Sequence, residues 1–339
     1  MALITRKKLI YPVNEVLRDY LRQQERESTA LAYKDLTRYR STIPLYDHSG
    51  KDTLWETVLY DQSEVEHIHK DLKMVYSNLK SAGQVEVIEH LFIDRIDICP
   101  FGNTKPFRIR IVNSINDNFD YFYIKIADAS RIYGLELEHL LSPNRINYIV
   151  DGNTLVEEHI IGVPGDQFIL NNLEDKNLNK VRLAKEFVKF NERTFFRLLG
   201  DMHSSNFVID ITPDFEEVHY RIRAIDFDQQ SFEGRKAVYM PKYFKQNNAF
   251  IQLGMEVMTP ESMKQYQLEE RSLMVNRIKS SRYTLNELLT AMKSTPLSIE
   301  KNIRQLAKEL ARHHGDDAFL TCSSMGEIVE RNLQKLETM

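Results

Sequence analysis

Three runs in the middle of the chain most limit its possible folds, and the first two of them are rich in β-branched residues and alternate apolar with polar side chains in places. The runs are VEVIEHLFIDRIDIC, FRIRIVNSI and DYFYIKIAD. A period of two is typical of strands that bury one face. The sequences between the runs, PFGNTKP and Asn116-Asp117-Asn118, contain residues that favour turns. The pattern therefore predicts three consecutive antiparallel strands.

The sequences around these strands predict the remaining organisation. A helical stretch, SRIYGLELEHLLS, ends before Pro143, and two strand candidates, INYIV and TLVEEHIIG, follow on either side of DGN. From residue 170 the pattern is mostly helical, interrupted by a hairpin of FVIDI and VHYRIRAIDF. The pattern of residues 1–61 predicts helices and loops, and the residues that follow predict a clear amphipathic helix.

These elements predict an α+β protein in three parts. Residues 1–88 form an N-terminal helical extension in this prediction. Residues 89–165 form a lobe with a small antiparallel sheet and one helix. Residues 166–339 form a mainly helical lobe that contains the hairpin.

Composition excludes several classes of protein. The chain has 339 residues, a formal net charge of −4 and 42% hydrophobic residues, as expected of a globular protein. The near-neutral charge argues against a dedicated nucleic-acid binder, and no apolar stretch is long enough for a membrane span. Cys99 and Cys322 suggest neither a disulfide framework nor a zinc site. A cytoplasmic protein is the simplest expectation, and its oligomeric state stays open.

The stretch LLGDMHSSNFVID, residues 198–210, places polar side chains between two apolar runs. Asp, Ser and Asn are poor strand formers, so the middle of the stretch predicts a loop. An ordinary polar turn is one interpretation of Asp201, His203 and Asn206, and a catalytic loop is the other. His203 is expected to hold the shape of this loop through backbone hydrogen bonds.

Phosphoryl transfer from ATP requires a set of groups that this chain supplies in order. A lysine must hold the phosphates, a carboxylate must accept the proton of the attacking hydroxyl, and magnesium needs hard oxygen ligands. In kinases these groups follow one another as a strand lysine, a helix glutamate, a loop Asp, an Asn five residues later and a further Asp. The matching residues are Lys125, Glu136 or Glu138, Asp201, Asn206 and Asp226.

Two stretches also resemble a known family. GDMHSSN is similar to the G-D-x-H-x-x-N loop of aminoglycoside and choline phosphotransferases, in which a strand and I-D-F-D/E follow; here IDFD is at 225–228. TLVEEHIIGVPG resembles the segment that joins the two lobes in that family. The resemblance implies a bilobal protein kinase-like fold with its catalytic loop in the helical lobe.

The resemblance also implies roles and cofactors, namely ATP and Mg²⁺. Asp201 would be the base or the group that orients the acceptor hydroxyl, and Asn206 and Asp226 would hold magnesium. The residues expected to bind the nucleotide are Lys125, Glu136 (or Glu138) as its ion-pair partner, and the backbone near Glu157, Glu158 and His159 at the adenine edge.

Three departures limit what the resemblance implies about substrate. Leu199 stands where a histidine usually braces the loop, which suggests an apolar brace. The stretch ICPFGNTKPF has one glycine, Gly102, and no A-P-E follows IDFD. The missing glycine pattern favours a small hydroxylated acceptor over a protein. The alternatives are a toxin- or effector-like protein Ser/Thr kinase, a nucleotide-binding pseudokinase scaffold, and nucleotidyl transfer by the same fold.

Overall fold

The computed structural model describes residues 8–28, 31–47, 49–81, 89–214 and 218–338. The helices are α1 (Glu15–Gln23), α2 (Tyr33–Leu36), α3 (Gln62–Ser81), α4 (Ala129–Leu141), α5 (Gly165–Asn171), α6 (Lys180–Arg197), α7 (Asn248–Val257), α8 (Pro260–Ser280), α9 (Arg282–Lys293), α10 (Glu300–His314) and α11 (Met325–Thr338). The strands are β1 (Ser41–Tyr46), β2 (Asp52–Leu59), β3 (Leu91–Ile98), β4 (Phe107–Asn113), β5 (Phe119–Ile126), β6 (Tyr148–Asp151), β7 (Thr154–Glu158), β8 (Val163–Pro164), β9 (Phe207–Pro213) and β10 (Val218–Ala224).

The chain divides into two compact units. The sheet unit contains Leu9–Ala129 and Ile146–His159, and the helical unit contains Ser130–Arg145 and Ile160–Met339. Helix α4, which the sequence assigned to the sheet part, therefore groups with the helical unit. The predicted boundary at residue 88 lies outside the described residues.

The sheet unit is built on an antiparallel sheet of seven strands in the order β1-β2-β3-β4-β5-β7-β6. Strands β3, β4 and β5 are consecutive neighbours, and Phe107 faces Ile124 across the β4–β5 pair. The prediction of three consecutive antiparallel strands is confirmed. Their alternation buries one face in a core with α3, where Leu72, Ile109 and Phe122 are fully buried.

The prediction of helices and loops over residues 1–61 was wrong for part of that range. Residues Ser41–Tyr46 and Asp52–Leu59 form β1 and β2, which pair at six positions, and β2 pairs with β3 at Glu56 and Thr57. The run STIPLY contains Pro44 and its side chains are mostly exposed, so it lacks the alternation that predicts a half-buried strand. The strands of such an edge hairpin are stabilised by pairing with each other more than by their own hydrophobic pattern.

The helical unit is organised around α6. Helices α7, α8 and α11 and strand β10 all pack on α6. The rings of Phe187 and Phe250 stack with centroids 5.3 Å apart, and Phe207 contacts Phe250 at 5.8 Å. Strands β8, β9 and β10 form a small antiparallel sheet, so the predicted hairpin of β9 and β10 is confirmed. This apolar centre supports the loop between α6 and β9.

The predicted fold class, α+β with an antiparallel sheet and a mainly helical C-terminal part, is confirmed. The order of the elements is consistent with a kinase-like fold, since one helix, α4, follows the third strand of the β3–β5 meander. Within the described ranges, no helix is long and apolar enough to cross a membrane.

Candidate active site

The loop that carries Asp201 begins where α6 ends. Leu198 closes the helix in the left-handed conformation, with φ of 55°. Gln230 Nε2 donates to the carbonyl of Arg197 at 2.6 Å, and the N–H of Gly200 donates to the carbonyl of Gln229 at 3.2 Å. The start of the loop is thus fixed to residues 229–230.

Leu199 lies between these two anchor points and is fully buried. The sequence predicted an apolar brace at this position, and the burial of Leu199 agrees with that prediction. Burying a side chain of this size stabilises the folded loop by about 1.5–3 kcal/mol relative to leaving it in water.

Asp201 itself has a left-handed backbone, with φ of 63°. Its N–H donates to the carbonyl of Val238 at 3.1 Å. Its carbonyl accepts from the N–H of His203 at 2.8 Å and from Nδ2 of Asn206 at 2.9 Å. A non-glycine residue with positive φ persists only where its surroundings impose that conformation, and such residues cluster at functional sites. These contacts fix the backbone of Asp201 and leave its carboxylate outside the network of main-chain bonds.

His203 contributes to the shape of the loop. Its Nδ1 accepts from the N–H of Ser205 at 3.3 Å, and its ring lies 6.1 Å from the ring of Phe244. Burial lowers the pKa of this imidazole, while the charge of Asp226 acts in the opposite direction. These contacts agree with the expected structural role of His203.

Asn206 connects the loop to the segment that carries Asp226. The N–H of Ile225 donates to the carbonyl of Asn206 at 3.0 Å, so the residue next to Asp226 is bonded to the loop. Because Nδ2 of Asn206 donates to Asp201, its Oδ1 is on the opposite side of the amide. The two predicted metal ligands therefore lie on chain segments that are hydrogen-bonded to each other.

The carboxyl group of Asp201 has a strongly raised pKa. Burial raises it most, and the negative charges of Asp226 and Glu233 raise it further, to about 7. A carboxyl group with a pKa near the working pH is suited to accept a proton during catalysis. The charge of Asp226 thus acts on the carboxyl group of Asp201.

Asp201 should lower the stability of the protein at neutral pH. Its pKa is about 7 in the folded state, against an ordinary value of 3.8, so the folded state binds more protons between these values. Stability is therefore lost as the pH rises through that window, and the full loss applies above pH 7. We expect Asp201→Asn to raise the free energy of unfolding at pH 8 by about 1–2 kcal/mol, discounted for partial exposure.

Denaturant unfolding at pH 4 and pH 8, in the presence of a chelator, measures this effect. Asp210→Asn, in the following strand, controls for the loss of a carboxylate outside the cluster. Equal stability changes at both pH values for Asp201→Asn would contradict the raised pKa.

Arg131, a residue that the sequence did not single out, binds the IDFD segment. Its Nη1 donates to Oδ1 of Asp226 at 2.9 Å and to Oδ1 of Asp228 at 2.8 Å, and its Nη2 donates to the carbonyl of Ile225 at 3.3 Å. The Arg131 side chain is 3% exposed and that of Asp226 is 38% exposed. Arg131 lies six residues after Lys125, in SRIYG, and no sequence pattern identifies it as a site residue. No pattern identifies Glu233 either, so the sequence analysis did not single out either residue.

The donor set around Asn206 and Asp226 fits a hard divalent cation. Both side chains offer oxygen, the ligand type that magnesium prefers, and the amide of Asn206 is held so that Oδ1 is directed away from Asp201. Across the described ranges, no group of three or more His, Cys, Asp or Glu side chains is arranged to hold a metal ion. A magnesium ion here would therefore need the amide oxygen of Asn206 and further ligands from its nucleotide or from water.

Gly165 lies against the same loop. A Cβ atom at this position would stand 2.6 Å from the carbonyl oxygen of Ser204 and 2.5 Å from the Phe207 ring. We expect Gly165→Ala to reduce the free energy of unfolding by about 1–3 kcal/mol, because the loop would have to move. Gly254→Ala is the matched control, since its Cβ would meet only the flexible end of Met258, at 3.2 Å. Chemical denaturation of both variants measures the difference, and equal stability would contradict the close packing at Gly165.

Lys125, in the sheet unit, is part of a buried ion pair. Its Nζ donates to Oε2 of Glu157 on the neighbouring strand at 2.7 Å. It also lies 5.4 Å from the centroid of the Tyr123 ring. Buried lysines are rare without a carboxylate partner, and a buried Lys–Glu pair of this kind holds the ammonium group in a fixed position. Glu157 is a partner that the sequence analysis did not assign to Lys125.

The two helix acids that were candidates for pairing with Lys125 differ in their surroundings. Glu138 forms an ion pair with Arg197 and accepts a hydrogen bond from Nδ2 of Asn144 at 3.0 Å. Burial acts to raise the pKa of Glu138, but the charge of Arg197 and the hydrogen bonds from Ser142 and Asn144 outweigh it and lower the pKa. Glu136 is also buried. The carboxylate of Glu138 is thus bound within the helical unit, and the pairing of Lys125 with Glu136 (or Glu138) stays a prediction.

The backbone at the end of β7 already makes internal hydrogen bonds. The N–H of Glu158 donates to the carbonyl of Asn147 at 3.0 Å, and the N–H of His159 donates to the carbonyl of Tyr121 at 3.2 Å. The side chain of His159 contacts the hydroxyl of Tyr123, with 3.1 Å between Nδ1 and the oxygen. An adenine that used either N–H would have to compete with these bonds, and the predicted contact stays a prediction.

No protein-family model matches the chain, and no curated protein matches it. Among solved structures, the chain is similar to the Rio2 kinase–ADP/Mg²⁺–phosphoaspartate complex from Chaetomium thermophilum, with 10% identity and a TM-score of 0.38. The similarity covers 74% of this chain and 80% of that chain.

Proposed function

We propose that this protein is an ATP- and magnesium-dependent phosphotransferase that transfers the γ-phosphate to a hydroxyl group of a small molecule. One observation carries the proposal most directly. The carboxyl group of Asp201 has a pKa of about 7, raised by burial and by Asp226, on a loop that is bonded to the segment containing Asp226. A proton acceptor beside a candidate metal ligand is the combination that phosphoryl transfer requires.

Asp201 acts on the acceptor in this proposal. Near neutral pH its carboxylate can accept a hydrogen bond from the acceptor hydroxyl and take its proton as the phosphate is transferred. The main-chain bonds to Val238, His203 and Asn206 hold the residue in position before the acceptor arrives. Preorganisation of this kind avoids the cost of ordering the base during the reaction.

Asn206 and Asp226 hold magnesium, and Lys125 holds the nucleotide phosphates, in this proposal. Bound Mg²⁺ would neutralise charge on the β- and γ-phosphate oxygens. The ion pair with Glu157 orients Lys125, with Glu136 as the proposed helix partner. The backbone of Glu158 and His159 is proposed to lie along the adenine.

The class of acceptor rests on the sequence more than on the site. The stretch ICPFGNTKPF has one glycine, and no A-P-E follows the IDFD segment. Protein kinases use a glycine-rich loop and an A-P-E segment. Their absence from these positions favours a small hydroxylated molecule over a protein hydroxyl.

Incubation with labelled ATP and magnesium against a library of hydroxylated metabolites tests this proposal. ADP formation that depends on one compound supports the small-molecule phosphotransferase. Label that appears on the protein, or on an added protein, would favour the Ser/Thr kinase instead. ATP binding without consumption under any condition would contradict an enzyme and favour the scaffold.

A further inference from the structure

The guanidinium group of Arg131 occupies one oxygen of the candidate metal ligand. Oδ1 of Asp226 accepts from Nη1 of Arg131 at 2.9 Å and from the N–H of Asp228 at 3.0 Å. Two donors therefore already bind the same carboxylate oxygen. A metal ion that used Oδ1 would have to replace both of them.

Arg131 is also held in place by groups other than Asp226. Its Nη1 donates to Oδ1 of Asp228 at 2.8 Å, and its Nη2 donates to the carbonyl of Ile225. The guanidinium carbon lies 5.9 Å from the centroid of the Phe227 ring. With a side chain that is only 3% exposed, Arg131 cannot turn into solvent without losing these contacts. Arginine also stays protonated at every physiological pH, so its charge is permanent.

A permanent charge at this position changes how many metal ions the site can hold. In protein kinases two magnesium ions are held by the Asp that corresponds in order to Asp226 and by the loop Asn. Here a fixed positive charge lies beside one oxygen of that Asp, and like charges within a few ångströms repel each other strongly in a partly buried site. A cation that approached Oδ1 of Asp226 would therefore meet this charge.

We propose that Arg131 takes the place of one divalent cation, so that this protein binds a single Mg²⁺ with its nucleotide. Arg131 is then a positioning residue that fixes the carboxylate of Asp226 and excludes a second ion. This inference rests on the proposed function, because it concerns the same nucleotide–metal site.

Counting bound Mn²⁺ by electron paramagnetic resonance, with a non-hydrolysable ATP analogue, tests the inference without any turnover. We expect the wild-type protein to bind one nucleotide-dependent Mn²⁺ per chain. Two ions would overturn the inference and leave the proposed function standing. No nucleotide-dependent ion at all would contradict both.

Two variants test the role of the charge itself. Arg131→Met removes the charge and keeps the length of the side chain, so we expect it to admit a second Mn²⁺. Arg131→Lys keeps the positive charge but loses the planar guanidinium group, so we expect this variant to bind one Mn²⁺ per chain. A folded Arg131→Met protein that binds one ion with unchanged affinity would overturn the inference. Thermal unfolding confirms that each variant is folded, and the wild-type count decides the question if Arg131→Met does not fold.

Discussion

Replacing Asp201 with asparagine is expected to lower turnover by about 10²–10⁴-fold, the usual contribution of a positioned base. Asparagine tolerates the left-handed backbone at this position, where φ is 63°. The bonds that hold the loop use the main-chain atoms of Asp201, so they survive the substitution. The variant therefore removes a carboxylate and little else, and its affinity for ATP should barely change.

Steady-state kinetics and a direct measurement of ATP affinity separate these two effects. Asp210→Asn, a carboxylate loss on the following strand, is the control and should keep wild-type turnover. The wild-type kcat/KM should rise with pH as Asp201 is deprotonated, and the variant should lose this dependence on pH. A variant with wild-type turnover would place the proton acceptor elsewhere in the chain.

The second large effect is expected from Asp226→Asn. This change removes the charged ligand that we propose for magnesium, so ATP binding in the presence of magnesium should weaken by at least about tenfold. ATP binding in a chelator should change much less, because no cation is then involved. The substitution also removes a negative charge that raises the pKa of Asp201, so that pKa should fall.

Calorimetric titration with ATP, with and without Mg²⁺, measures the first effect, and carboxyl NMR titration measures the second. Asp228→Asn is the matched control, because it removes a second carboxylate bound by Arg131 and keeps Asp226. If Asp228→Asn weakened magnesium-dependent binding as much as Asp226→Asn, the metal ligand would be misassigned.

The sequence predicted best those elements whose own residues determine them. The alternation in β3, β4 and β5 fixes which face is buried, and the pairing of Phe107 with Ile124 follows from short linkers. The polar composition of residues 201–206 likewise predicts a loop, because Asp, Ser and Asn bond to nearby backbone. Local chemistry decides both features, and both are visible in one sequence.

Other features depend on residues that are distant in the chain. The hairpin of β1 and β2 is held by pairing, and STIPLY, with Pro44, lacks a strand signature. The raised pKa of Asp201 depends on burial and on Asp226 and Glu233, 25 and 32 residues away in the numbering. No spacing rule links these residues, so the sequence could name candidates for the site but could not predict their electrostatics.

The contacts of individual side chains also could not be predicted from the sequence. Lys125 faces Leu155 across the β5–β7 pair, and it forms its ion pair with Glu157, two residues further along β7. The ion pair therefore depends on the register of these two strands. Glu138 pairs with Arg197, which lies at the end of a different helix. Each of these pairings needs the folded arrangement of at least two elements.

Identifying the products that the protein forms from ATP tests the central claim most directly. In ³¹P NMR spectra recorded with magnesium and a responsive hydroxylated compound, we predict ADP and a new phosphomonoester in equal amounts. AMP with pyrophosphate would instead indicate nucleotidyl transfer, and it would contradict a site in which Asp201 directs a hydroxyl at the γ-phosphate.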